Sequence, residues 1–211
     1  MRRLFDTLLS AYGPQHWWPA HSIEEMMVGA ILVQNTAWTQ VIPVIDRLKA
    51  HQWLSLAAIR QLPEEDLWTL LRPVGYFRVK TRRLKALAAC LQRYDDQPER
   101  LFQLDTAALR HTLLQVHGIG KETADAMVCY GARRPLFVVD AYTGRLFHRL
   151  GWTTRQASYE TIQAMVHRAL PEDAHLLGEL HALIVQHAKI HCRTRPICVR
   201  CPLSFCPACE R

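Results

Sequence analysis

Val116-His117-Gly118-Ile119-Gly120-Lys121 stands between two apolar helical patterns, about residues 106–115 before it and 121–130 after it. Asp105 is placed to cap the first of them. Glycines two apart allow positive φ and a close approach by another backbone. The turn then feeds a helix whose first amides lack intrahelical partners. Such a helix start suits a phosphate, and Lys121 adds a charge there. The same residues also suit a plain glycine turn between antiparallel helices, so the string fixes a helix–turn–helix and leaves its ligand open.

Working outward, the patterns remain helical. Ser22 and Glu25 have the spacing of a capping box and predict a helix over 23–33. Another is expected over 37–50, where Pro43 means a late start or a kink. Pro63-Glu64-Glu65 opens a further helix, with acids at the positive dipole end, and Gly75 closes it. Residues 80–94 read as a helix with a basic outer face. Beyond the hairpin, helices are expected over 141–150, 158–170 and 172–191. Leu136-Phe137-Val138-Val139 is a short apolar run without a partner strand, and it ends at Asp140. The first twenty residues, with Trp17-Trp18-Pro19, read as an irregular arm or lid. The fold class is all-α, with about ten helices and no internal repeat.

Composition narrows the function. Apolar residues make up 49% of 211, enough for a real core and against wholesale disorder. Lys and Arg outnumber Asp and Glu by 26 to 19, which suggests a polyanionic partner and also fits an ordinary basic protein. No apolar run approaches the roughly 20 residues of a membrane span. The N-terminus does not read as a signal peptide, so a cytoplasmic setting and no membrane partner are expected. There, clustered cysteines mean metal or chemistry rather than disulfides. Cys192, Cys198, Cys201, Cys206 and Cys209 all fall in the last twenty residues. Thiolates converging on one point need a cation, either zinc or an iron–sulfur cluster. Cys198-x2-Cys201 and Cys206-x2-Cys209 form the two pairs of a zinc site but leave Cys192 over. Arg193, Arg195 and Arg200 in this loop suit phosphates or plain solvation. Cys90 and Cys129 lie in apolar helical patterns as buried fillers.

Taken together, these strings resemble the endonuclease III-like, helix–hairpin–helix DNA glycosylase superfamily. The resemblance rests on the hairpin and on Val138-Val139-Asp140-Ala141-Tyr142, which puts Asp140 twenty residues after Gly120. It also rests on Gln34-Asn35-Thr36, on Gly75-Tyr76-Phe77-Arg78 with Lys80, and on the cysteines, so it spans nearly the whole chain. It implies two helical domains flanking a DNA-binding cleft: 22–134 with the hairpin, and 1–21 plus 135–211 with the cysteine loop. Asp140 and the hairpin would face each other across that cleft. It implies a [4Fe–4S] cluster on Cys192, Cys198, Cys201 and Cys206, although two intervals are about one residue shorter than the family's. Cys209 remains the alternative fourth ligand and zinc the alternative metal. The implied partner is double-stranded DNA carrying a damaged base, met by Gln34, Asn35, Gly118, Gly120 and Lys121. A monomer is expected.

The resemblance also implies chemistry. A stacked base must be extruded before its glycosidic bond can be reached, and Gln34 stands where the family's wedge fills the gap. Asp140 would stabilise the positive charge growing on the sugar and orient water; it also suits a helix N-cap. Family members that also cut the strand carry a lysine two residues after the last hairpin glycine, where this chain has Glu122. A carboxylate cannot form an imine, and Lys121 lies about 100° round the helix from that slot. A monofunctional enzyme using water is therefore expected. Trp18 and Trp38 would offer two electron-rich faces to a cationic, alkylated purine such as 3-methyladenine. Alternatives are a monofunctional enzyme for mismatched or deaminated bases, a catalytically silent DNA-binding protein, and a zinc-stabilised interaction module. His117 and Tyr142 border the site without an assigned role.

Overall fold

The computed structural model describes residues 1–209 and is helical throughout, with no strand among them. The chain opens with α1 (Arg2–Tyr12). It continues through α2 (Ile23–Leu32), α3 (Trp38–Ala50), α4 (Leu56–Gln61), α5 (Glu64–Leu71) and α6 (Phe77–Gln92). Next come α7 (Pro98–Phe102), α8 (Thr106–Leu114) and α9 (Lys121–Ala126). The last helices are α10 (Ala141–Arg149), α11 (Tyr159–Ala169) and α12 (Ala174–Ile190). The backbone forms two compact units, one of Trp18–Ala132 and one of Met1–Trp17 with the chain from Arg133 onward.

In the first unit, α2 is the central rod. Met27, Val28, Ile31 and Leu32 are fully buried, so the helix is apolar nearly all round, as an enclosed helix must be. It packs on α3, α6, α7 and α9. Ser22 caps it by accepting the Glu25 amide at 3.1 Å. The expected reciprocal bond is absent: the Glu25 carboxylate instead accepts the His21 amide at 3.1 Å and the Lys49 ammonium at 2.7 Å. The capping box is thus half formed, because a nearby cation outcompetes Ser22's own amide for the carboxylate. α3 runs through Pro43 unbroken, with Pro43 on its exposed side, where the carbonyl it leaves unbonded can meet water.

In the second unit, α12 packs on α1 and α10. Leu4, Leu8, Phe137, Phe147, Leu180 and Ile184 form its core. The N-terminal arm is therefore irregular only over residues 13–20. Residues 2–12 are a helix because Leu4, Phe5 and Leu8 fall on one face, and burying each of them stabilises by about 1.5–3 kcal/mol. The helix stops before Gly13-Pro14. Phe137, Val138 and Val139 are buried, lie outside any helix or strand, and lead straight into Asp140.

Candidate functional site

The hairpin is built by its flanking helices. Arg110 of α8 donates through Nε to the fully buried Asp125 carboxylate of α9 at 2.6 Å, tying the two helices together. Between them Gly118 takes φ +83, a left-handed value that favours glycine. Gly120 is extended, with φ −91 and ψ 180, so its conformation does not require glycine. The close approach is made at Gly118 by a side chain, not by a backbone. A Cβ there would lie 2.3 Å from Cγ of Arg83.

Arg83 links the hairpin to the Gln34 element. Its guanidinium donates to Gln34 Oε1. Gln34 Nε2 donates in turn to Thr123 Oγ1 at 2.9 Å and to the Gly118 carbonyl at 3.2 Å. Gln34 is thus latched between α6, the hairpin and α9. Its neighbour Asn35 is exposed, with φ +53. The latch rests on Lys80, whose ammonium is buried and donates to Leu32 O, Thr36 Oγ1 and Val74 O at 2.8, 2.5 and 2.7 Å. Burial, with Arg83 nearby, brings its pKa down to about 8. Lys121 and Glu122 are both exposed at the start of α9.

Trp18 and Trp38 come together in the same unit, 5.4 Å apart and at 83°. Their rings meet edge to face and do not form a parallel slot. Tyr130 joins them 5.6 Å from Trp18. Both tryptophans lean on Gly29 of α2, where a Cβ would stand 3.2 Å from the Trp38 ring and 3.3 Å from Trp18 Nε1. Tyr130 sits where helical winding expected over 121–130 widens to a π turn, Met127–Gly131. Such widening often marks functional positions. Sequence periodicity could not reveal Tyr130, because it drops out of the helical register there. Tyr76, part of the Gly75-Tyr76-Phe77-Arg78 string but given no role from sequence, is 70% exposed and held at φ +46 beside Gly75.

Asp140 lies in the other unit. Its Oδ1 accepts the Thr143 amide at 2.7 Å and the Thr143 hydroxyl at 2.8 Å, capping α10. Its Oδ2 stands 3.6 Å from Nε2 of His181 on α12. Burial pushes the carboxyl pKa up, but the His181 contact and the Thr143 bonds outweigh it, so the pKa stays below the usual carboxylate value. The group is therefore a buried, ionised carboxylate, able to stabilise positive charge or orient water.

In that unit the five clustered cysteines line one recess, open to solvent, beside Arg149. Arg149 donates to Cys192 Sγ at 3.1 Å and to the carbonyls of Arg193 and Thr194 at 2.6 and 2.9 Å. Arg145 donates to the Cys192 carbonyl at 2.7 Å. Burial raises the Cys201 and Cys209 pKa values; neighbouring thiols add to this at Cys209, whereas at Cys201 the Leu203 amide and the Cys209 bond partly oppose it. Among the described residues, no three His, Cys, Asp or Glu side chains are gathered closely enough to hold a single metal ion. Arg193, Arg195 and Arg200 are exposed on the loop.

Residues 28–172 match the family model of the HhH-GPD superfamily of base excision DNA repair proteins. A protein of Methanocaldococcus jannaschii, provisionally named a DNA repair glycosylase, is 41% identical over 97% of this chain and 94% of its own. A solved structure of a trapped endonuclease III–DNA covalent intermediate shares the fold with a TM-score of 0.85 at 22% identity, covering 99% of this chain and 95% of that one. The structure of Helicobacter pylori 3-methyladenine DNA glycosylase bound to 1,N6-ethenoadenine is similar with a TM-score of 0.75 at 27% identity, over 89% of this chain and 94% of that one. With an all-helical, endonuclease III-like fold and a match across most of its length, the chain belongs to the HhH-GPD superfamily and is a DNA glycosylase of base excision repair.

Proposed function

We propose that this glycosylase removes alkylated purines such as 3-methyladenine from double-stranded DNA, using water and leaving the strand intact. The observation that carries the reading is Asp140, a buried carboxylate kept ionised beside a polar partner. Loss of a cationic base leaves charge on the sugar, and a fixed carboxylate is the group that stabilises it. An N-alkylated purine is already a good leaving group, so less acid catalysis is needed. The similarity to a 3-methyladenine glycosylase supports this substrate class.

Glu122 occupies the slot from which an imine-forming amine would act, and supports hydrolysis alone. Trp38 and Trp18 supply aromatic surface for the base. Because the rings meet at 83°, a base stacks on one face rather than between two. Exposed Asn35 faces the duplex, Gln34 enters the gap only by leaving its bonds to Arg83, Thr123 and the Gly118 carbonyl, and Gly118, Gly120 and Lys121 hold the backbone phosphates. Exposed Tyr76 adds a stacking surface.

The cysteine recess suits a [4Fe–4S] cluster. Its sulfur donors predominate, the His187 and His191 rings that also line it being bonded to the Tyr12 hydroxyl and the Ile197 carbonyl, and its raised thiol pKa values call for a cationic group to stabilise the thiolates. Cys192, Cys198, Cys201 and Cys206 would hold it, with Cys209 the alternative fourth ligand. When bound, the cluster would fix the loop's shape, while Arg145 and Arg149 clamp the loop from α10.

The test is incubation with a dimethyl sulfate-treated duplex, separation of free bases, and inspection of the strand with and without borohydride. Free 3-methyladenine, an unbroken strand and no trapped adduct are expected. A nicked strand with a trapped imine would overturn the hydrolytic reading. Release only from mismatched or deaminated bases would overturn the substrate.

A further inference from the structure

The buried face of α12 carries three titratable residues, Glu179, His181 and His187. Two are tied to the N-terminal segment. The Glu179 carboxylate accepts the Gln15 amide at 2.6 Å, and His187 Nδ1 pairs with the Tyr12 hydroxyl at 2.9 Å. These bonds join α12 to α1 and its exit. His181 instead turns its Nε2 toward Asp140 Oδ2, 3.6 Å away, with side chains only 10% and 7% exposed. The Phe137 ring stands edge-on to its imidazole at 6.5 Å.

The two oxygens of Asp140 are treated differently. Capping of α10 uses Oδ1 alone, through both Thr143 bonds. Helix capping does not require an imidazole on Oδ2. Oδ2 is the oxygen that His181 meets, and a donor there fixes the carboxylate's plane about the axis that Oδ1 defines.

We infer that His181 is a positioning residue for Asp140, presenting an imidazole N–H to Oδ2 so that the carboxylate holds one orientation while the sugar gains charge. The inference rests on Asp140 being the reacting carboxylate. The donor is the same whether the imidazole is a neutral Nε2–H tautomer or an imidazolium. At 3.6 Å the contact is longer than an ordinary hydrogen bond, and such contacts tighten in substrate complexes. Nothing in the sequence marks His181, which falls within an apolar helical pattern 41 residues after Asp140.

The experiment compares His181→Phe, which keeps the ring's shape without a donor, with His181→Gln, which keeps a donor at a similar reach. Single-turnover base release from a dimethyl sulfate-treated duplex is measured for both, with Asp140→Asn and the Asp140→Asn/His181→Phe double variant. Melting temperature and duplex affinity are followed alongside. His181→Phe should slow release by about 100-fold, the cost of a misplaced reacting group, with affinity and melting little changed. His181→Gln should recover most of that rate. In the Asp140→Asn background, His181→Phe should add no further loss. A His181→Phe variant at wild-type rate, with Asp140→Asn inactive, overturns the role of His181 alone. Equal slowing by Phe and Gln, with lowered melting, overturns it in favour of packing. Asp140→Asn at wild-type rate overturns the reading of Asp140 itself. If wild type releases no base from this probe, nitrogen NMR of labelled histidine decides. An Nε2–H signal that moves in Asp140→Asn supports the contact, and an unprotonated Nε2 overturns it.

Discussion

Replacing Gly118 with alanine is the sharpest perturbation of the hairpin. The new Cβ would lie 2.3, 2.6 and 2.7 Å from Cγ, Cδ and Nε of Arg83, too close for any real contact. Arg83 must therefore swing away and give up its bond to Gln34 Oε1. Losing a hydrogen bond to a charged group costs about 1.5–3 kcal/mol. Holding alanine at a left-handed φ adds about 1 kcal/mol. The lower half of the first range applies to a half-buried pair, so the sum is about 2.5–3.3 kcal/mol. For a chain of this size that lowers melting by about 5–15 °C. Thermal unfolding followed by circular dichroism measures it, with Arg83→Ala and the double variant completing the cycle. In the Arg83→Ala background, Gly118→Ala should cost only the backbone part, about 1 kcal/mol. An alanine variant melting within about 2 °C of wild type would refute the reasoning. So would an undiminished cost after Arg83 is removed.

Gly120→Ser tests the contrast: its backbone is extended, nothing lies within 4 Å of the added Cβ, and serine is a good N-cap. Stability should stay within about 0.5 kcal/mol of wild type by denaturant unfolding, while duplex affinity falls if phosphates lie against this turn. Lys80→Met leaves three acceptors without their donor and should cost about 3–5 kcal/mol in urea unfolding. The lysine's lowered pKa has a definite sign. Between about 8 and the unfolded value near 10.4, the unfolded chain binds more protons, so this residue's contribution makes stability rise with pH across that window. That slope should be present in wild type and missing in Lys80→Met. Arg149→Met removes donors to Cys192 Sγ and two loop carbonyls, and should lower iron content and hasten its loss to a chelator.

Much of the helical order was legible from the chain. Ser22, Asp105 and Asp140 cap the helices that follow them, because short polar side chains before apolar periodic runs have few other uses. What escaped was set by tertiary contact. Residues 2–12 looked irregular beside Trp17-Trp18-Pro19, yet an apolar face packing on α12 makes them a helix. The short helices α4 and α7 have too few residues for periodicity to register. Glu25 and Gln34 are ordinary polar residues in sequence. Their partners, Lys49 for one and Arg83 and Thr123 for the other, lie 24, 49 and 89 residues away. His181 is the same kind of case. Cysteine spacing, by contrast, is local, and all five thiols of the C-terminal segment do line one recess.

The most direct test of the central claim is single-turnover release of 3-methyladenine from a methylated duplex by wild type and Asp140→Asn at saturating protein. The account predicts release by wild type into an unbroken strand, and a loss of about 10²–10⁴-fold in the variant with duplex binding retained. Release by Asp140→Asn at the wild-type rate would contradict it.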